Sequence, residues 1–158
     1  GNRFHFLKFD MRISPLILEE SGIKFDSSMG FAEQIGFRNG YCFPFYLYDL
    51  KNNRMRNVLE IPLMAMDATL LEKRYMACTP ETAFSAVKEI IDEIGKFSGC
   101  LGILWHNNVI SEYKYTGWKN VYENILGYLR QSNSAFLCGK EILERYGDEG
   151  YRGIGYKV

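Results

Sequence analysis

His106 is the residue of this sequence most suited to acid–base chemistry. It follows the apolar run CLGILW (100–105) and opens a polar cluster that includes Asn107. An imidazole gains and loses a proton near neutral pH, as a general acid must. The same position also suits a histidine that only closes a strand through its hydrogen bonds. The sequence therefore offers a candidate general acid and a purely structural alternative.

Two arginines are candidates for binding an anionic or hydroxylated group. Arg3, in the segment RFHF, can hold a carboxylate in a bidentate pair, or it can be a free arginine near the chain terminus. Arg38 stands in the glycine-rich segment GFRNG. It can bind a ligand, or it can hold the segment in an internal salt bridge. The carboxylate partners that we expect for Arg38 are Asp26, Asp49 or Asp67.

Further ligand-binding candidates lie next to these residues. Trp105 precedes the candidate acid and can stack on a sugar ring, although its apolar neighbours favour a place in the core. The candidates for substrate binding are Arg38, Asp26, Trp105, Asn107 and His5.

The cysteines and histidines show no metal-binding pattern. The cysteines (Cys42, Cys78, Cys100 and Cys138) are far apart and form no C-x-x-C pair. His5 and His106 form neither an H-x-x-x-H nor an H-E-x-x-H pair. We therefore expect no metal in this chain. We also expect free, buried thiols in a reducing compartment, the cytoplasm.

Strands and helices alternate through most of the sequence and must position these residues. The strand candidates are 4–9, 23–26, 45–50, 57–66, 100–106 and 135–138, and the helix candidates are 14–22, 68–76, 80–97, 118–130 and 140–146. This alternation predicts an α/β fold with a mainly parallel sheet, which can include an antiparallel hairpin at 45–66. Functional residues of such folds lie in the loops after the carboxyl ends of the strands.

Length and composition predict one globular domain over residues 1–158, with a tail at 147–158. Hydrophobic residues make up 47% of the chain, which is too apolar for a disordered protein. The formal net charge is zero, so charge gives no reason to expect nucleic acid or an anionic membrane as partner. No apolar run reaches the length of a membrane span. Gly1 in place of Met is typical of a cloning remnant, so upstream sequence is expected to be missing.

Several short motifs occur in an order that resembles one enzyme family. Arg3-Phe4-His5-Phe6 is similar to an Arg-x-Pro-Tyr motif, and Leu104-Trp105-His106 matches Leu-x-His. Between them, SGIKFDSS (21–28) and VLEIPLM (58–64) are similar to further family segments. The family is that of the polysaccharide deacetylases, carbohydrate esterases related to chitooligosaccharide deacetylase. RFHFLKF, GFRNG and WHNN most resemble a bacterial subgroup, and the likeness covers roughly residues 3–145.

The resemblance implies a distorted (β/α) barrel in which one Asp and two His bind a divalent, zinc-type metal. A second Asp acts as the general base, a histidine as the general acid for the leaving amine, and an arginine orients the base. Only Arg3 and His106 carry over to this chain as catalytic residues. The remaining parts belong to an amino-terminal half that the chain lacks, and His5 replaces the proline of the family motif.

The function expected from this resemblance is that of a partial enzyme. The chain would be the carboxyl-terminal portion of a metal-dependent deacetylase acting on N-acetylated carbohydrate, inactive in isolation because the metal site is missing. The alternative is a non-catalytic carbohydrate-binding or structural domain that keeps the fold. The expected partners are a carbohydrate and the missing amino-terminal half.

Self-association is the first testable consequence. Half a barrel leaves an open sheet edge and an uncovered apolar face, and natural proteins cover both. We expect a homodimer that buries the face beside Phe4, Phe6 and strand 100–106, with more than about 1,000 Å² buried in total. Light scattering at tens of micromolar measures this. A monodisperse monomer with those aromatic side chains in its own core would contradict the half-barrel interpretation.

Overall fold

The computed structural model describes residues 1–147, which form helices and two small sheets. The helices are α1 (Ser14–Glu20), α2 (Asp67–Leu71), α3 (Pro80–Phe97), α4 (Trp118–Gln131) and α5 (Gly139–Tyr146), and the strands are β1 (Phe25–Asp26), β2 (Phe45–Asp49), β3 (Arg54–Glu60), β4 (Leu63–Met66) and β5 (Gly102–Leu104). The predicted α/β class is confirmed. The mainly parallel sheet is not, since one sheet of the described residues contains a parallel and an antiparallel pair and the other has two parallel strands. Apart from Gly147, the predicted tail lies outside the described residues.

Backbone contacts divide the chain into two compact units that alternate along the sequence. The first unit contains residues 1–29, 43–62 and, within the described part, 136–147. The second unit contains residues 30–42 and 63–135. Each unit has its own sheet and its own hydrophobic core.

The first unit is built around the antiparallel hairpin of β2 and β3. Its sheet has the order β1-β3-β2, in which β1 runs parallel to β3. The predicted hairpin is confirmed, although it ends at residue 60 rather than 66. Its core consists of Leu18, Met29, Leu47 and Val58. Helix α5 also belongs to this unit, and a side chain at Gly139 would lie 2.3 Å from the ring of Phe25.

Pro62 divides the strand that was predicted at 57–66. A proline has no N–H to donate to a sheet ladder, so β3 ends before it and β4 begins after it. The N–H of Ile61 still donates to the carbonyl of Asp26, 2.8 Å away. The two halves of the predicted strand therefore belong to different sheets.

The second unit pairs β4 with β5 in parallel and packs α3 against α4. Helix α3 begins and ends at the predicted residues. Thr79 caps its first turn, and Pro80 occupies a position where a missing N–H costs nothing. The buried face of α3 carries residues at helical spacing: Ala83, Val87, Ile91 and Ile94.

Two predicted strands are not found. Residues 5–7 of the segment 4–9 form a short 3-10 helix, in which Phe6 and Leu7 adopt positive φ angles of 57° and 52°. Positive φ is incompatible with an extended strand. Residues 135–138 form no strand either. Cys138 instead caps the start of α5. No closed barrel is present in the described residues, so a partial barrel stays a prediction.

Phe4 and Phe6, the two aromatic residues of the predicted dimer face, differ in their exposure. Phe4 packs against the core of that unit, whereas the side chain of Phe6 is largely exposed. Of the two aromatic residues assigned to a dimer face, only Phe6 is available to a second copy. Self-association stays a prediction.

The hairpin supplies a stability test with a matched control. Leu47 is fully buried, whereas Leu50, at the turn of the same hairpin, is 64% exposed. Leu47→Ala should lower the free energy of unfolding by about 3 kcal/mol because it opens a cavity in the core. Leu50→Ala should change it by less than about 0.5 kcal/mol. Urea denaturation measures both, and equal losses would show that the inner face of the hairpin does not form the core.

Candidate functional site

His106 and Asp67 form a hydrogen-bonded pair at the carboxyl ends of the two parallel strands of the second unit. Asp67 directly follows β4, and His106 comes shortly after β5. The His106 Nδ1 lies 2.6 Å from Asp67 Oδ1, and the His106 backbone N–H donates to Asp67 Oδ2 over 2.6 Å. Asp67 is fully buried, whereas 48% of the His106 side chain is exposed. The predicted location of His106 at the end of a parallel strand is confirmed, although among the described residues this strand belongs to a two-stranded sheet and is not central. Its predicted opening to a cleft stays a prediction.

This pairing directs one nitrogen of the imidazole toward the outside. A carboxylate that accepts from Nδ1–H selects the tautomer in which Nε2 carries no proton in the neutral ring. Asp67 also accepts from the backbone N–H of Ala68, 2.6 Å away, so both of its oxygens are occupied. The arrangement can take up or release a proton at Nε2 while the ring stays in place.

The sequence did not reveal that Asp67 is the partner of His106. Asp67 was considered only as a carboxylate for Arg38. The available signal was its position directly after an apolar segment that becomes β4, because carboxyl ends of adjacent parallel strands lie at the same edge of a sheet. That the two strands are adjacent was not evident from the sequence.

Arg38 is anchored, but not by a carboxylate. Its Nη1 donates to the carbonyl oxygen of Gly30 over 2.9 Å. Both residues belong to the longer glycine-rich segment 30–42, which includes GFRNG. The expected anchoring of the segment is confirmed, and the expected carboxylate partner is wrong. The three carboxylates proposed for it have other donors: Asp26 has Asn2 and Ser28, Asp49 has Arg56 and Asn52, and Asp67 has His106.

The remaining candidates of the second unit are Trp105 and Asn107. The ring of Trp105 packs against Tyr122 at 5.3 Å and Trp118 at 6.2 Å between ring centroids. This contact favours its alternative role in the core over that of a sugar platform. Asn107 begins a short 3-10 helix, Asn107–Ile110, and is exposed beside His106.

In the first unit, Arg3 and Asp26 belong to one polar cluster. Arg3 donates from Nε to the carbonyl of Ser27 over 2.8 Å and from Nη2 to the Ser27 hydroxyl over 2.9 Å. It also lies within electrostatic reach of Asp26 and Glu60. Asp26 is fully buried and accepts from the Asn2 side chain over 2.7 Å. His5 is not part of this cluster, since its exposed ring stacks on Phe6.

Glu60 is the member of this cluster that the sequence analysis did not select. It is fully buried, and its Oε1 accepts from the backbone N–H of Met29 over 2.9 Å. Burial, together with the charge of Asp26, raises the pKa of Glu60 to about 9. Its Oε2 is buried without a hydrogen-bond partner, which leaves the ionised form of Glu60 poorly stabilised. At neutral pH, Glu60 is therefore a neutral carboxyl group close to Asp26.

Residues 1–147 bring no three His, Cys, Asp or Glu side chains close enough to hold a metal ion. The four cysteines are free thiols, of which Cys42 is buried and Cys138 is exposed. No helix in the same range combines the length and apolarity needed to cross a bilayer.

No protein-family model matches this chain, and neither a curated protein nor a solved structure shows a significant match. The resemblance to the deacetylases therefore depends on the short motifs alone.

The raised pKa of Glu60 predicts a specific dependence of stability on pH. The stabilisation due to its bound proton is complete below its ordinary pKa of 4.5 and is lost as the pH rises toward about 9. In Glu60→Gln, a neutral side chain of the same shape, this loss should be absent. The free energy of unfolding of the wild type should fall faster with pH, by up to about 1.4 kcal/mol per pH unit.

Urea denaturation at several pH values between 5 and 9 measures the two slopes. Glu123→Gln, the same chemical change at an exposed position of α4, should keep the slope of the wild type. Equal slopes for Glu60→Gln and the wild type would show that Glu60 is ionised in the folded state.

Proposed function

We propose that this chain is the carboxyl-terminal portion of a hydrolase of the polysaccharide-deacetylase type, which removes acetyl groups from N-acetylated carbohydrate. In this proposal His106 is the general acid. The observation that supports it is the pairing of His106 with the buried Asp67, 2.6 Å apart, at the carboxyl ends of two parallel strands. This is the position at which α/β folds carry catalytic residues.

His106 would protonate the leaving amine when the amide bond breaks. An amine leaves readily only when it is protonated, and the proton would come from Nε2 of the imidazolium ring. Asp67 would stabilise that imidazolium and hold the ring in one orientation through two hydrogen bonds. Asp67 is therefore a positioning residue in this proposal, and His106 a catalytic one.

Arg3 would act in the first unit as a positioning residue. Its two hydrogen bonds to Ser27 hold the chain directly after Asp26, and its positive charge interacts with the buried Asp26. The resemblance assigns the corresponding arginine to the orientation of the catalytic base. In this chain, Arg3 would take that role by holding Ser27 in place through its two hydrogen bonds.

In this proposal, the metal would be held by an amino-terminal half of the enzyme. The described residues do not fit a metal site, because they bring no suitable group of ligands together. The water-activating half of the reaction is therefore assigned to the amino-terminal half. Alone, the 158-residue chain should release no acetate.

Acetate release from chitooligosaccharide by the chain joined to its amino-terminal half tests the proposal. His106→Gln should lower kcat by about 10²–10⁴-fold with little change in KM, since proton donation acts on the transition state. Glu123→Gln, an exposed change on α4, should leave kcat unchanged. Full activity of His106→Gln would refute the proposed role. Binding of the sugar without release of acetate would favour the non-catalytic alternative.

The positioning role of Asp67 has a readout in the 158-residue chain itself. Nitrogen NMR of the imidazole should show the neutral His106 ring protonated at Nδ1 in the wild type. Asp67→Asn should shift the ring toward a mixture of tautomers, while His5 keeps its spectrum. A wild-type His106 protonated mainly at Nε2 would contradict the assigned hydrogen bond.

A further inference from the structure

Cys42 and Cys100 are neighbours in the second unit although they are far apart in the sequence. The backbone N–H of Cys100 donates to the carbonyl oxygen of Cys42 over 2.7 Å. Standard bond lengths then limit the distance between the two Cα atoms to less than about 7 Å. Disulfide-bonded cysteines have Cα atoms about 4.4–6.8 Å apart. The backbone therefore already holds the two residues at a separation that a disulfide can bridge.

The side chain of Cys42 is directed toward the chain that leads into Cys100. A Cβ atom built on Gly99 would lie 2.5 Å from the Cys42 Sγ, so this sulfur packs on the backbone directly before Cys100. Gly99 has no side chain to separate the two thiols. The charge of Cys42 also contributes to the pKa of Cys100, which places the sulfur atoms within electrostatic reach of each other.

We propose that Cys42 and Cys100 are a disulfide site, and that its oxidation ties the end of the glycine-rich segment 30–42 to the chain that enters β5. Elsewhere the segment is held by hydrogen bonds, such as that from the Gly36 N–H to the Met64 carbonyl, and by the packing of Ile35 against the core of the second unit. His106 lies two residues after the end of β5. The cross-link would therefore fix the segment relative to the strand that precedes His106. The proposal does not depend on the hydrolase function.

The oxidant in this proposal is a low-molecular-weight disulfide. The thiolate of one of the two cysteines attacks one sulfur of the oxidant and releases one small thiolate. The thiolate of the other cysteine then attacks the mixed disulfide, forms the Cys42–Cys100 bond and releases the second small thiolate. The two protein thiols lose two electrons and two protons, which convert the oxidant into two small thiols.

Burial sets the rate of this exchange. It raises the pKa of the Cys100 thiol to about 11, with a smaller contribution from Cys42. It also raises the pKa of Cys42, to which the negative charge of Glu93 adds. Since only the thiolate reacts, exchange should be slow at neutral pH and faster in alkaline solution.

The test uses the full chain with Cys78→Ser and Cys138→Ser, so that only the two proposed partners remain. After incubation with oxidised glutathione at alkaline pH, intact mass should show the loss of two hydrogen atoms and no glutathione adduct. Trypsin should then yield peptides 39–51 and 97–114 joined by a reducible bond. The equilibrium constant for disulfide formation should be at least about tenfold higher in the folded chain than in the chain unfolded by urea.

Single replacements of the pair provide the controls. Adding Cys42→Ser or Cys100→Ser to this background should leave one glutathione adduct and no internal disulfide. Two adducts on the background variant, or disulfide-linked dimers, would overturn the proposal. So would an equilibrium constant no higher in the folded chain than in the unfolded chain, because the native structure would then be holding the thiols apart.

Discussion

Buried carboxyl groups constrain this structure more than any other feature. Among the described residues, Asp26, Asp49, Glu60 and Asp67 are almost completely inaccessible to solvent. A buried charge is costly unless it is paired or neutralised, so each of these groups requires specific partners. Asp49 meets the requirement with Asn52 and Arg56, whose hydrogen bonds hold the pKa of Asp49 well below its usual value. The partners of Asp49 lie in its own hairpin, whereas Asp26, Glu60 and Asp67 each accept a hydrogen bond from a residue at least 24 positions away.

Asp67 and Glu60 compensate for the cost of burying a carboxyl group in opposite ways. Asp67 accepts hydrogen bonds at both oxygens, including two from His106, and these bonds offset the cost of its burial. Glu60 has a single donor, the N–H of Met29, and lies next to Asp26, so it keeps its proton. The first arrangement suits proton transfer at the exposed imidazole. The second is closed to solvent and lies where Asp26 of β1 is the register partner of Glu60 in β3.

The glycine-rich segment 30–42 is held in the second unit by interactions along its whole length. Arg38 returns to the Gly30 carbonyl, and Thr69 donates from its hydroxyl to the carbonyl of Ala32. At its end, the Cys42 carbonyl receives the N–H of Cys100. Each of these contacts uses a backbone carbonyl as acceptor, which explains how the segment is ordered without a carboxylate partner for Arg38.

The sequence alone determined the elements whose signals are local. Helix α3 begins at Pro80 after a capping threonine and repeats its apolar residues at helical spacing, so its bounds were predictable. The hairpin at 45–60 and the position of His106 after an apolar strand were predictable for the same reason. The tertiary structure alone decided that Pro62 sends β3 and β4 into different sheets, that β4 lies beside β5, and that Asp67 therefore reaches His106. Strand partnership and the burial of a carboxyl group depend on contacts between distant segments, and a linear pattern contains no measure of those contacts.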